Sequence, residues 1–233
     1  MDLMTTEDAA ARLGVSERRV RALIGQGDLD AELVGRMYLV APQSLARLAA
    51  HRAGGRSLSA RMAWAALLSD LGAKNLEGLT IDFELSRTDR QRLTALRDRK
   101  VEDWSWLARR RAVTARFSVR DAYLDRLVTD SRVRRSGLSA LAEYQVELTF
   151  QRGEAELYVG DSDREAVLAS YLARSDDAGR VIIHTVQDKV ITQAATAGTA
   201  VMSAATVAVD LAESEEVRAR RAGYKLMRRI SHG

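Results

Sequence analysis

The stretch TEDAAARLGVSERRVRALIGQGDLDAELVGRMYLVAPQSLARL, from Thr6 to Leu48, constrains this chain more than any other. Thr6 can N-cap a helix in which Ala9, Ala10 and Leu13 share a face, Gly14-Val15 break it, and Ser16 caps a second helix. In that second helix Val20, Leu23 and Ile24 recur three and four residues apart, a buried stripe that turns Glu17, Arg18, Arg19 and Arg21 outward. Gly27 is placed to terminate it. Glu32–Val34 and Met37–Val40 then read as two short strands hinged at Gly35-Arg36, and Pro42 opens a third helix with Leu45 and Leu48 inward. Two short helices meeting at a tight turn, the second with a cationic outer face, have helix-turn-helix geometry, and the hairpin is a small wing.

The order and spacing of these pieces resemble the excisionase/MerR-like winged helix-turn-helix family, whose G-R-x-Y wing is matched by Gly35-Arg36-Met37-Tyr38. The resemblance implies double-stranded DNA as the partner. Ser16 would anchor to a phosphate, and Arg18 and Arg19 are the candidates for bidentate contacts to guanine. Arg21 lies nearer the helix flank, Arg36 at the wing tip would reach a phosphate or the neighbouring minor groove, and Tyr38 on the wing is a further DNA-binding candidate. One such unit reads few base pairs, so useful specificity calls for a homodimer or for several copies on repeats.

Zero cysteines remove disulfides, thiolate catalysis and cysteine-based zinc sites, and His51, His184 and His232 are scattered, so neither metal nor cofactor is expected. No apolar run has transmembrane length and no cationic-then-apolar leader opens the chain, which gives the expectation of a cytoplasmic protein with no membrane partner. Charge is unevenly spread. Lys+Arg against Asp+Glu is 6 to 7 in residues 1–50, 15 to 8 in 51–120 and 15 to 17 in 121–233. Phosphate contacts need clustered cations. Arg109, Arg110, Arg111 and Arg116 are therefore the expected second backbone-contact surface, against the plainer reading of arginines on solvated faces.

HRAGGR (51–56) is a glycine-containing break. Beyond it Ser59 caps a helix carrying Trp64, Leu67, Leu68 and Leu71 and ended by Gly72, and Ser86 with Asp89 forms a capping box before Leu93 and Leu96. Trp104 and Trp106, interleaved with Leu107, read as core. Val113, Ala115 and Phe117 alternate as a strand. From Ser118 short helices and strands alternate: a Ser118–Asp121 cap, a hairpin of Val146–Phe150 with Ala155–Val159, a helix begun by Ser162 and Glu165 and ended by Asp176–Gly179, and a central strand Val181–Val186. Residues 187–203 fit either an irregular crossing or an alanine-rich helix; Ser203 starts a clear one. The expected class is α+β: a winged helix-turn-helix over 1–50, a linker at 51–57, a helical arginine-rich segment over 58–117, and an α+β domain with a small sheet over 118–233.

Six collinear pieces, LSARMAWAALLSDLG, LSRTDRQRL, RRSGLSALAEY, EAELYVGDSD, RVIIHTV and AATVAVDLAESEEVRARRAGYKLM, make residues 57–230 resemble actinobacterial-type relatives of the AbiEi family, the antitoxins of type IV toxin-antitoxin systems. In that family an N-terminal winged helix represses the operon, the C-terminal domain assists DNA binding and antitoxicity, and the toxin is a nucleotidyltransferase. The resemblance implies an autorepressing antitoxin with such a toxin encoded next door. The excisionase-type N-terminus departs from the usual pattern, which bears on antitoxicity more than on repression. A stand-alone repressor derived from a phage or mobile element is the alternative, and a nucleic-acid-processing enzyme the remote one. Asp210 with Glu213 and Asp161 with Asp163 are acidic pairs of the kind that hold cations, yet both read better as helix capping. With no glycine-rich phosphate loop, no Ser/His/Asp set, and His184 alone on a strand as a packed core histidine, no enzymatic activity is expected.

Overall fold

The computed structural model describes residues 3–25, 28–50, 57–71, 85–146, 153–196 and 199–232. The chain divides into two compact units, Met1–Arg56 and Ser57–Gly233.

The first unit runs β1 (Met4–Thr5), α1 (Thr6–Leu13), α2 (Glu17–Gly25), β2 (Ala31–Val34), β3 (Met37–Val40) and α3 (Pro42–Ala50). The cap of α1 is Thr5 rather than Thr6, in a capping box with Asp8. The reason is β1, which pairs Met4 with Val40 and Thr5 with Leu39 and so holds Thr5 extended; two residues are too few for any periodicity to reveal. Thr6 instead donates its hydroxyl to Glu17 Oε2 at 2.9 Å, tying α1 to α2. Gly14 adopts φ 62°, a left-handed turn that only glycine takes without strain. The Ser16 hydroxyl accepts from the Arg19 N–H at 3.3 Å and caps α2 as expected. Ala9, Leu13, Val20, Leu23, Leu29, Val40, Leu45 and Leu48 are buried. The stop expected at Gly27 lies outside the described residues.

The second unit contains α4 (Ala60–Leu68), α5 (Arg87–Thr94), a 3₁₀ turn (Val101–Asp103), α6 (Trp104–Leu107), β4 (Val113–Ser118), α7 (Asp121–Val128), β5 (Val133–Arg135), a 3₁₀ segment (Gly137–Tyr144), β6 (Ala155–Gly160), α8 (Asp161–Ser170), β7 (Arg174–Ser175), β8 (Val181–Val186), α9 (Lys189–Thr196), α10 (Ala204–Glu213) and α11 (Val217–His232). Its sheet has the order β5-β6-β8-β4-β7, with β6 and β8 parallel and the other pairs antiparallel. The boundary expected between 117 and 118 is absent, because β4 finds its ladder partners in β7 and β8 and carries the arginine-rich segment into the same sheet. β6 lies between β5 and β8; of the hairpin partner expected at Val146–Phe150, residues 147–150 lie outside the described ones.

Strand alternation splits the sheet's two faces. Phe117, Leu157, Val159, Val181 and Ile183 pack with Leu127 of α7 and Val167 of α8. Tyr158 and Val186 join a larger core built from α4, α6, α10 and α11, in which Trp64 and Trp104 are buried. The tryptophans are thus core residues, as their interleaving with leucine indicates. Two expected caps fall elsewhere: Ser118 hydrogen-bonds the Asp176 carboxylate, and α8 starts at Asp161 with Gly160 before it and ends at Ser170, short of Asp176–Gly179. Within the stretch 187–203, Lys189–Thr196 form α9, and Ser203 accepts from the Thr206 N–H to cap α10.

Candidate nucleic-acid interface

On α2, Val20 and Leu23 anchor the helix and leave Arg18, Arg19 and Arg21 exposed. The three differ in how committed they are. Arg21 Nη2 sits 2.8 Å from Glu17 Oε2, the oxygen that also accepts from Thr6, so part of its charge is already balanced. Arg18 and Arg19 form no ion pair among the described residues. Ser16 spends a lone pair on its cap and retains a hydroxyl proton for donation.

Arg36 occupies the turn between β2 and β3 beside Gly35, whose φ is 63°. The hairpin pairs Leu33 with Tyr38 and Val34 with Met37, and these four are among the large apolar residues left exposed, Met37 by 65% and Tyr38 by 36%. Arg36 is the wing's one cation; the rest of its exposed side chains are apolar except for Glu32.

The expected basic surface of the second unit is dispersed by the fold. Arg111 is a correction: it is 3% exposed and cannot meet a phosphate. Its guanidinium contacts Asp210 Oδ1 at 2.5 Å and Glu213 Oε2 at 2.7 Å, and its Nε donates to the Tyr158 hydroxyl at 2.8 Å. Burial alone would lower its pKa, but Glu213, the Tyr158 oxygen and Asp210 outweigh burial and raise it. Arg109 lies over the Trp106 ring at 4.1 Å, Arg110 is half-buried, and exposed Arg116 reaches the Gly179 carbonyl at 3.4 Å.

Arg111 belongs to a polar network on the α10 side of the sheet. Tyr158, its phenol held protonated chiefly by burial, donates to Asp210 Oδ1 at 2.9 Å, while Ser136 donates to Oδ2. The Tyr158 ring stacks on His184 at 4.5 Å and meets Trp64 edge-on at 5.7 Å. His184 Nε2 is 2.8 Å from Glu156 Oε1 and Nδ1 is 2.8 Å from Thr114 Oγ1. Burial pushes the Glu156 carboxyl up, opposed by its hydrogen bond to His184. The packed-core expectation for His184 stands, with polar partners added.

Asp210 and Glu213 do not cap a helix. Asp210 is fully covered inside α10, where it neutralises Arg111. Glu156, His184 and Asp210 each place a ligand atom within 4.8 Å of the others, but Arg111 already supplies the positive charge a metal would bring, and both Asp210 oxygens accept hydrogen bonds. Sequence reading missed this network although it left a trace: Glu156, Tyr158 and His184 are polar members of otherwise apolar strands. Asp161 and Asp163 lie in the first turn of α8, where anionic side chains meet the positive end of the helix dipole.

A cationic face that the fold does preserve is on α11. At about 100° per residue, Arg218, Arg221, Lys225, Arg228 and Arg229 share one exposed side, opposite buried Ala219, Leu226 and Met227. Arg228 pairs with Glu102 at 3.0 Å and Arg229 donates to the Tyr144 carbonyl at 2.8 Å. Among the described residues no helix is long and apolar enough to cross a membrane.

No curated protein and no solved structure matches this chain. Residues 3–53 match the family of helix-turn-helix domains. The match spans both helices of the motif, the wing and α3 of the first unit, which is accordingly a helix-turn-helix unit of the DNA-binding kind.

Proposed function

We propose that the chain is a sequence-specific double-stranded DNA-binding transcriptional regulator that represses by occupying a promoter. The observation that carries this is α2 itself: a capped helix whose apolar stripe is anchored and whose Arg18 and Arg19 stand free in solvent. These two would hydrogen-bond guanine edges in a major groove, Ser16 and Arg36 would contact phosphates, and Tyr38 would lie against the backbone beside the wing. Two copies on half-sites about one helical turn apart would supply enough base pairs for specificity.

Binding-site selection with the full chain, followed by gel shift against bulk competitor, tests the reading; no enriched sequence would overturn it. Arg19→Ala is expected to lose about 1 to 3 kcal/mol on the selected site and to relax one base position, and an unchanged sequence logo would remove Arg19 from the base-reading set. In the second unit, the phosphate-contact role first sought at Arg109–Arg111 passes to α11. Arg221→Gln with Lys225→Gln should flatten the plot of log affinity against log salt by roughly 0.9 for each lost phosphate contact while leaving base preference intact. An unchanged slope would make α11 a solvated face.

The antitoxin role and its nucleotidyltransferase partner are supported by the motif resemblance over residues 57–230. Growth rescue on co-expression with a neighbouring nucleotidyltransferase tests that role, and failure to rescue leaves the stand-alone repressor. No catalysis is proposed, since Asp210 and Glu213, the acids nearest to a reactive arrangement, are engaged by Arg111.

A further inference from the structure

Helix α8 ends in a turn in which the Leu172 N–H bonds to the Ala169 carbonyl at 3.3 Å and the Ala173 N–H to the Leu168 carbonyl at 2.9 Å. That geometry places residue 172 in the left-handed region, at φ 50°, where glycine is the usual occupant and a leucine is strained. Leu71 shares this conformation, at φ 63°, but is 2% exposed, so core burial offsets its strain. Leu172 is 57% exposed and has no such return. Together with Leu168, Ala169 and Ala173 it walls a surface depression of about 360 Å³, whose remaining lining is Arg120 and Arg174. Both arginines are exposed, and neither forms an ion pair among the described residues.

We propose that this depression is a binding site for a small amphiphilic anion, a carboxylate on a short apolar body. The leucines and alanines cover the apolar part, and Arg120 and Arg174 hold the carboxylate through charge-assisted hydrogen bonds. The volume lies in the small-molecule range of roughly 300 to 1,000 Å³, and strained residues cluster at ligand-binding sites, which agrees with Leu172 standing at its wall. The site uses no residue of the DNA-reading helix, so it stands or falls independently of the proposed regulator function.

The test titrates the full chain with octanoate, octan-1-ol and octylamine, followed by amide NMR shifts. Octanoate is expected to saturate, to shift signals around Arg120 and residues 168–174, and to bind at least about fivefold more tightly than the alcohol or the amine. Arg120→Gln with Arg174→Gln should bring octanoate down to the affinity of octan-1-ol. Leu172→Gly should weaken octanoate about fivefold and, by relieving the backbone, raise the Tm by roughly 2 to 4 °C. Equal binding of the three probes, absence of saturation, or a Leu172→Gly variant that gains Tm but binds octanoate unchanged would each overturn the proposal.

Discussion

Arg111→Met is expected to remove about 3 to 5 kcal/mol from the stability of the second unit. The side chain of Asp210 is wholly inaccessible, and in the variant its carboxylate would keep only the Tyr158 and Ser136 donors. A buried carboxylate that loses its cation is costly because the desolvation penalty remains while the Coulombic compensation goes. Glu213 is about one-third exposed and would be screened by water, so little of the loss comes from that pair. Urea unfolding of the full chain should show a lower midpoint for the second unit with an unchanged m-value. A loss below about 1 kcal/mol would mean that Asp210 is not dependent on Arg111, contrary to the 2.5 Å contact.

The companion variant separates the pair from its parts. Arg111→Met with Asp210→Leu removes both charges, and replacing a buried ion pair by apolar residues of similar size is often neutral or stabilising. The double variant should therefore recover most of the single-variant loss, with the buried Tyr158 and Ser136 hydroxyls left as the groups seeking partners. This pattern also distinguishes a buried anchor from a phosphate contact. A DNA-contacting arginine would change the salt dependence of binding and leave folding alone, whereas Arg111 should change folding and leave the salt slope of the folded protein unaltered.

The first unit could be read from the sequence because its information is local. Ser16, the stripe of Val20 and Leu23, and the Gly35-Arg36 turn each act within a few residues of their own position. The strand β1 escaped notice because its two residues are defined only by β3, far along the chain. In the second unit the single-strand patterns were visible but their neighbours were not: Val113–Ser118 reads correctly as a strand, and nothing local says that it pairs with Val181–Val186. Arg109, Arg110 and Arg111 form one cationic run in sequence, yet each has a different environment. Arg111 turns inward toward Asp210, 99 residues away, while Arg109 covers Trp106. Adjacent like charges say little about a shared surface when a strand begins within two residues of them.

Gly223→Val is expected to cost about 3 kcal/mol, opposite in sign to what helix propensity suggests. Gly223 lies inside α11, where replacing glycine by a better helix former usually gains up to about 1 kcal/mol. Here a Cβ would stand 2.6 Å from both the Ala208 carbonyl oxygen and the Ala212 nitrogen, and 3.0 Å from the Leu211 carbonyl carbon. These are backbone atoms of α10 and cannot rotate away, so the two helices must separate and loosen the contacts of Ala208, Ala212, Ala219 and Met227. Overpacking of this kind costs typically 1 to 3 kcal/mol, and the second methyl of valine puts the variant at the upper end. Gly223→Ala should be milder and still destabilising. Thermal unfolding of the full chain measures both, and a Tm that rises in Gly223→Ala would show that α10 and α11 do not approach so closely. The contact also fixes the roll of α11: with Gly223 seated on α10, Arg218, Arg221 and Lys225 are held on the opposite, solvent side. Loss of that seat should therefore weaken any electrostatic role of α11 in parallel with stability, linking one missing methyl group to the placement of the cationic face.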